Sequence, residues 1–162
     1  MLKKNLPRLA ITVAVLCCFA AGGWYWGQYA RHRPHFPHSK IEITRSDGKK
    51  FTYDVEVARD LAEQEYGLMY IRSMADDAGM IFPYDPPREV AFWMKNTYIP
   101  LDMIFVGKDH RIGHIATNAR PLDVMPITSE VSVTSVIELN AGQVDQKGFS
   151  VGDTVFYAGL NQ

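Results

Sequence analysis

The sequence predicts a mainly β domain: a small sandwich or barrel of about seven short strands with two short helices. Apolar and polar residues alternate in several short runs, which is the period of a half-buried strand. Glycine, proline, asparagine and aspartate separate these runs at intervals of roughly 8–12 residues, as is typical of β sandwiches and barrels. Only two segments combine a helix start signal with a stop signal, and both are short.

The first predicted element is a hairpin over residues 41–57. Residues 41–44 and 51–57 both alternate, and Asp47-Gly48 between them is a favoured hairpin turn. One face of this hairpin is expected to be buried, and it carries Ile41, Ile43, Phe51, Tyr53, Val55 and Val57.

A short helix is predicted after the hairpin. Asp60 is its N-cap, Glu63 completes a capping box three residues later, and Gly67 ends it. The second helical turn is expected to start at Asn140 and to end at Gly148.

The remaining strands follow from alternating or apolar runs bounded by turn residues. Residues 117–129 contain three breakers and no clear period, so they are predicted as the longest loop and as a candidate wall of a site. The predicted strands are 79–82, 90–95, 101–106, 111–116, 131–139 and 154–157.

The N-terminal segment, residues 1–28, is predicted as a signal anchor or a signal peptide. Lys3, Lys4 and Arg8 precede a charge-free run of 18 residues from Leu9 to Trp26. Its Trp-Tyr-Trp end is typical of a membrane interface and favours an uncleaved anchor, although Ala20-Ala21-Gly22 suits signal cleavage. The membrane is therefore an expected partner. The protein is predicted to be anchored in the inner membrane with its domain outside the cytoplasm, or secreted or periplasmic if the signal is cleaved.

Residues 29–40 are predicted as a Pro/His-rich linker, and residues 41–160 as a single β-rich domain. His32, His35 and His38 recur at every third residue and could bind a metal, but a solvated spacer is the favoured interpretation because no carboxylate or Cys accompanies them. The only cysteines, Cys17 and Cys18, lie in the apolar run, so the domain has no disulfide and no Cys-based metal site.

Composition argues against a nucleic-acid partner. The chain has 17 Lys and Arg residues against 18 Asp and Glu, for a net charge of −1. No cofactor or metal site is predicted, and the methionines are interpreted as core residues. Because no known catalytic motif is present, no catalytic residue is assigned.

The best candidate site lies in the run AFWMKNTYIPLDMIF, residues 91–105. Charged and amide groups in an apolar run must find partners, reach water or bind a ligand. Trp93 and Lys95 share a face of the predicted strand, which permits a cation–π contact. Asp102 is expected to return opposite Lys95, and the site is predicted to take a small polar ligand. The candidate ligand-binding residues are Trp93, Lys95, Asn96, Thr97, Asp102 and Glu138.

A structural role for the same residues stays open. Asp102 could accept backbone N–H groups of the Asn96-Thr97 turn, and Lys95 could cover Trp93 or form an internal ion pair.

The chain carries a series of short blocks in order: Gly67-Leu68-Met69, Gly79-Met80-Ile81-Phe82, Phe92-Trp93-Met94-Lys95-Asn96-Thr97, Pro100-Leu101-Asp102, Glu138-Leu139, Ala141-Gly142, Gly148 and Gly152-Asp153. Together they resemble the domain of unknown function 192 family, over about Phe51 to Tyr157. The resemblance implies a compact β-rich domain, often exported, without an established reaction. Tyr70, where phenylalanine is common, and Lys108-Asp109-His110, where an Asp-Gly turn is more usual, depart from the pattern.

Three functions are compatible with these features. The leading hypothesis is an exported binding module for a small polar or cell-envelope ligand, because Trp beside hydrogen-bonding groups suits such ligands. The first alternative is a hydrolase that uses Asp102 or Glu138 with Lys95. The second is a module for a protein partner, without a small-molecule site.

Overall fold

A computed structural model describes residues 33–157 of the chain. The predicted N-terminal anchor or signal peptide lies outside these residues. In the described part, no helix is long and apolar enough to cross a membrane. The chain divides after Pro34, and the β-rich unit begins at His35.

The described residues form nine strands and two short helices, which confirms a mainly β fold; the strand that has no predicted counterpart covers residues 127–128. The strands are β1 (His38–Thr44), β2 (Lys50–Val57), β3 (Ala78–Arg88), β4 (Ala91–Phe92), β5 (Leu101–Val106), β6 (Ile112–Ala119), β7 (Ile127–Thr128), β8 (Val133–Asn140) and β9 (Thr154–Tyr157). The helices are α1 (Leu61–Tyr66) and α2 (Gln143–Lys147).

Seven strands form one mixed sheet in the order β6-β5-β8-β3-β2-β1-β9, and β4 pairs with β7 in a separate two-stranded sheet. Within the large sheet, β2 and β3 are parallel and the other neighbours are antiparallel. Its two edges approach at one bridge between Arg111 and Thr154. The sheet does not close, so the barrel alternative does not apply.

Each face of the large sheet carries its own apolar core. The first face packs against α2, and its core includes Ile41, Val55, Ile104, Ile137, Val144 and Val155. The second face is covered by α1 and the loops, and its core includes Tyr66, Met80, Phe82, Met94, Met103 and Phe105. The candidate site described below belongs to the second face.

Local signals around the hairpin and α1 are confirmed. The Asp60 carboxylate accepts the Glu63 N–H at 2.9 Å, the Glu63 carboxylate accepts the Asp60 N–H, and Gly67 caps the C-terminus. The predicted inner face of the hairpin packs in the first-face core.

The domain starts earlier than expected. β1 begins at His38, within the segment predicted as linker, and Phe36 is buried in the second-face core. The Val57 N–H donates to Pro37 O, which extends the pairing between β1 and β2 by one hydrogen bond before β1 begins. The proline and histidine content of residues 29–40 predicted a linker. In the structure, the end of this segment belongs to the domain, because its backbone pairs with β2 and the Phe36 ring packs in the core.

Other boundaries differ because tertiary contacts override local signals. β3 continues past Pro83 to Arg88 with a register shift in its pairing to β8, which is where a strand tolerates proline. The predicted strand 90–95 is reduced to β4, and residues 127–128 of the predicted loop pair with it as β7. α2 is capped by Gly142 in a left-handed conformation rather than by Asn140.

Candidate functional site

A cavity of about 340 Å³ lies beside the second face of the sheet, between α1, β3 and residues 88–97. Four of the six predicted site residues line it: Trp93, Lys95, Thr97 and Glu138. Asn96 and Asp102 do not. The structure thus assembles part of the predicted site around a cavity that the sequence did not reveal.

Glu138 contributes the only carboxylate on β8 to this cavity. Its strand position places it opposite Met80 on β3 and Met103 on β5, and the residue is 5% exposed. Within residues 33–157, its carboxyl group has no hydrogen bond or ion pair to another side chain or to the backbone. Burial in these surroundings raises the pKa of Glu138 to about 8. At neutral pH it is therefore mostly a neutral acid, able to donate one hydrogen bond.

Trp93 and Lys95 line the cavity together, although β4 ends at Phe92 and the strand face that predicted their contact does not form. The Lys95 Nζ lies 5.2 Å from the centre of the Trp93 ring, which is a cation–π distance. The Trp93 side chain is 49% exposed, so part of its ring remains available for another contact. Thr97 is buried at the cavity wall.

Asn96 holds a turn. Its φ is +59°, a left-handed conformation that Asn adopts more readily than most residues. The side-chain amide of Asn96 donates to the Tyr70 hydroxyl at 3.1 Å, and the backbone carbonyl of Asn96 accepts the Tyr70 N–H at 2.8 Å. Asn96 therefore fastens the segment after α1 to the turn that carries Lys95 and Thr97.

Asp102 faces the opposite side of the sheet, so the expectation that it meets Lys95 is wrong. Its two carboxylate oxygens accept the N–H groups of Asn118 and Val144, each at 2.9 Å. Val144 lies in the first turn of α2, so Asp102 links β5, β6 and α2. Burial, with a contribution from Asp102, raises the pKa of Tyr53 to about 12. The structural alternative of a buried cap is right for this residue, but its donors are not those of the Asn96-Thr97 turn.

Sequence reasoning missed the contribution of β3. Tyr84 is buried in the cavity wall, and Arg88 lies over its ring with Cζ 4.8 Å from the ring centre. Burial raises the pKa of Tyr84, so its hydroxyl stays protonated. The Gln64 amide donates to Pro83 O at 3.1 Å and ties α1 to the same strand. The prolines after Phe82 predicted a loop, so Tyr84 and Arg88 were not considered as site residues. The only sequence signal for them was an aromatic residue followed four positions later by a basic one.

No group of three or more His, Cys, Asp or Glu side chains in residues 33–157 is arranged to hold a metal ion. The cavity lining offers the Glu138 carboxyl group, five aromatic side chains and four further charged groups. The aromatic residues are Tyr66, Phe82, Tyr84, Phe92 and Trp93, and the charged residues are Glu65, Arg88, Glu89 and Lys95.

The fold and the cavity define a small, mainly β domain with one described cavity large enough for a small molecule. The chain belongs to the domain of unknown function 192 family, described as Uncharacterized ACR, whose pattern matches residues 42–157. The family has no established activity. No curated protein matches the chain.

Solved structures that share the fold include the following two. One is a proposed transcription regulator from Sinorhizobium meliloti 1021, with 41% identity and a TM-score of 0.77, covering 80% of this chain and 100% of that one. The other is a protein of unknown function from Novosphingobium aromaticivorans DSM 12444, with 40% identity and a TM-score of 0.71, covering 74% of this chain and 84% of that one.

Proposed function

We propose that this protein is an exported binding module that holds a small, neutral polar ligand in the cavity above Glu138. The observation that carries the proposal is the Glu138 side chain, which lines the cavity on a residue that is only 5% exposed and makes no hydrogen bond or ion pair within residues 33–157. A carboxyl group that lines a cavity and has no protein partner is open to a ligand that completes its hydrogen bonds.

The size and walls of the cavity suit such a ligand. A volume of about 340 Å³ is at the lower end of the range of small-molecule sites. The half-exposed Trp93 ring offers a flat apolar surface beside hydrogen-bonding groups, an arrangement that favours ring-shaped polar molecules such as sugars.

The charges at the cavity favour a ligand without net charge. Lys95 and Arg88 are balanced by Glu65 and Glu89, which also line the cavity, and Glu138 is mostly neutral at pH 7. A strongly anionic or cationic ligand would meet an opposing charge on one side. A sugar or another cell-envelope component with hydroxyl and amide groups fits this balance.

Ligand retention tests the proposal. Full-length protein purified from its host is expected to carry one class of small polar compound, identified by mass spectrometry after extraction. Trp93→Ala and Glu138→Leu are each expected to reduce the retained amount at least tenfold, which corresponds to about 1.4 kcal/mol of lost affinity.

Phe156→Ala is the matched control for this experiment, because Phe156 is an exposed aromatic residue on edge strand β9 and does not line the cavity. It should retain the compound in full. Equal retention by all three variants, or no enriched compound in the wild type, contradicts the proposal and favours a protein-partner module.

A hydrolase is the second candidate, and one observation favours it. A carboxyl group with a pKa of about 8 is suited to donate a proton near neutral pH, as a general acid must. Asp102 cannot join it, since it lies on the other face of the sheet, so Glu138 would act with Lys95 alone. Hydrolysis of the retained compound by wild type, and its loss in Glu138→Gln, would support this candidate.

We further propose that the domain lies outside the cytoplasm, held by the N-terminal anchor. The basic start and the charge-free run support this location. A C-terminal alkaline phosphatase fusion, active only after export, is expected to be active, and the same fusion lacking residues 1–28 should be inactive. Activity of a cytoplasmic reporter alone would reverse the assignment.

A further inference from the structure

Two polar groups line the cavity without a hydrogen-bond partner in the described part of the chain. One is the Glu138 carboxyl group, and the other is the hydroxyl group of Tyr84, a residue of β3 that is 9% exposed. Burial raises the pKa of the Tyr84 hydroxyl, the Arg88 charge lowers it, and the Glu138 charge raises it. The two groups are therefore within electrostatic reach of each other, and a ligand in the cavity can meet both.

The basic side chains of the lining lie over aromatic rings rather than beside Glu138. The Arg88 Cζ lies 4.8 Å from the centre of the Tyr84 ring, and the Lys95 Nζ lies 5.2 Å from the centre of the Trp93 ring. No ion pair to Glu138 forms among residues 33–157. Without a cation beside it, the buried carboxyl group keeps its proton at neutral pH, so it presents an O–H donor and a C=O acceptor side by side.

The other neutral polar side chains of the described lining already have partners. The Gln64 amide nitrogen donates to Ala58 O and Pro83 O, and the Thr97 hydroxyl donates to Lys95 O. The cavity therefore offers few hydrogen bonds beyond those of the carboxyl and phenol groups. A ligand with a single polar edge suits this lining better than a polyhydroxylated one, because further hydroxyl groups would lose water without gaining partners.

Aromatic rings from α1, β3 and residues 92–93 form the apolar part of the cavity wall. The Phe82 and Phe92 rings lie nearly perpendicular to each other, with their centres 5.0 Å apart. Aromatic rings pack in stacked or edge-to-face arrangements, so these walls favour a ligand with a flat ring. The aromatic residues of the wall are Tyr66, Phe82, Tyr84, Phe92 and Trp93.

The chemical complement of a neutral carboxyl group is an amide whose C=O and N–H lie on the same side. The acid O–H donates to the amide oxygen while the amide N–H donates to the acid C=O, which gives two hydrogen bonds in one closed ring. Primary carboxamides and cyclic amides have this edge. Open-chain secondary amides do not, because they strongly favour the trans form, in which the C=O and N–H point in opposite directions.

We propose that the cavity takes a flat-ring compound bearing a primary carboxamide or a cyclic amide, which pairs through two hydrogen bonds with Glu138. The Tyr84 hydroxyl is a further donor for the amide oxygen. This inference rests on the binding function proposed above and narrows its ligand to one chemical class. The carboxyl group selects the polar edge of the ligand, and the aromatic walls select its body.

Three probes that share a benzene ring and differ in their polar edge test this selection. They are benzamide, a primary amide; N-methylbenzamide, a trans amide; and benzamidine, a cation of nearly the same shape. Each is titrated against the full-length protein by ligand-observed NMR at neutral pH. Benzamide is expected to bind about tenfold more tightly than either of the others, since only benzamide can form both hydrogen bonds to the neutral acid.

Variants locate this selectivity. Glu138→Gln is expected to keep the preference for benzamide, because a glutamine amide also donates and accepts side by side, whereas Glu138→Leu should abolish it. Tyr84→Phe should weaken benzamide several-fold while keeping the order of the three probes. Phe156→Ala, outside the cavity, should match the wild type. Cooperative unfolding of each variant shows that it is folded.

Several results would overturn the proposal. Tighter binding of benzamidine would assign the cavity to a cation, and equal binding of benzamide and N-methylbenzamide, or binding of none, would remove the amide edge. The compound retained from the host separates this inference from the binding function. A retained compound without such an amide, lost in Glu138→Leu, overturns the ligand class but leaves the binding module intact. No retained compound contradicts the binding function, and the ligand class falls with it.

Discussion

Asp102→Ala is expected to lower the free energy of unfolding by about 3–5 kcal/mol, because it removes two hydrogen bonds to a buried carboxylate and strands both donors. The side chain is fully buried, and its partners are the N–H groups of Asn118 and Val144. The hydrogen bond from Val144 is buried, and that from Asn118 on edge strand β6 is partly buried, so most of the loss is expected at Val144. Urea denaturation of residues 35–162, which retain Phe36, measures the loss.

Two further variants sharpen this result. Asp102→Asn keeps the shape and one acceptor but turns an amide donor toward the second N–H, so a smaller loss is expected. Asp109→Ala is the control, because Asp109 also accepts a backbone N–H, from Arg111, but in an exposed turn. It should cost less than about 1 kcal/mol. A loss for Asp102→Ala no larger than the control would show that the buried cap is not structural.

Glu138 is expected to make the domain less stable as the pH rises from about 4.5 to 8. Its pKa is about 8 in the folded protein, raised by burial from 4.5. Well below pH 4.5 the carboxyl group is protonated in both the folded and the unfolded state, so it does not change the stability with pH. Between the two values the unfolded state loses the proton first, so the unfolded state binds fewer protons and stability falls with pH. Above pH 8 the dependence ends.

The expected size of the effect is on the order of 3 kcal/mol between pH 5 and 8, since each pKa unit corresponds to about 1.4 kcal/mol and cavity solvent reduces the full value. Glu138→Gln, which cannot ionise, should remove this part of the pH dependence and stabilise the domain at pH 8. Glu65→Gln is the matched control, at an exposed position lining the same cavity. The prediction fails if wild type and Glu138→Gln lose stability in parallel over this range.

Other titratable groups that line the cavity surround Glu138. They are Tyr84 and Arg88 on β3, Glu89 after it, Lys95 beyond β4, and Glu65 and Tyr66 on α1. A bound neutral ligand that accepts a hydrogen bond from the protonated acid would raise the pKa further. Protonation of Glu138 is therefore expected to raise the affinity for the ligand, and bound ligand is expected to raise the pKa of Glu138.

Short-range features of the chain were readable from the sequence. The β1–β2 hairpin and the capping box of Asp60 and Glu63 depend on residues close in sequence, so residue type and spacing define them. The Trp93–Lys95 contact forms without the strand that predicted it, because β4 ends at Phe92 and Lys95 lies in the turn that follows.

The extent of β3 was not readable in this way. Pro83, Pro86 and Pro87 indicate a loop by their local preferences, yet the chain stays extended to Arg88 because β8 pairs with it on both sides of an irregularity. Tyr84 and Arg88 reach the cavity only through this long-range pairing. A single sequence carries no signal of which distant strand supplies those hydrogen bonds.

By itself, the sequence determined a mainly β domain and a run of polar residues that had to be partnered or functional, because alternation and the cost of burying charge are local properties. Tertiary structure alone decided which of those residues share a site. In the β5–β8 register, Asp102 pairs with Leu139 while Met103 pairs with Glu138. A shift of one residue would place both carboxylates on the same face. The observed register instead separates them, leaving Asp102 as a buried cap and Glu138 as the acid of the cavity.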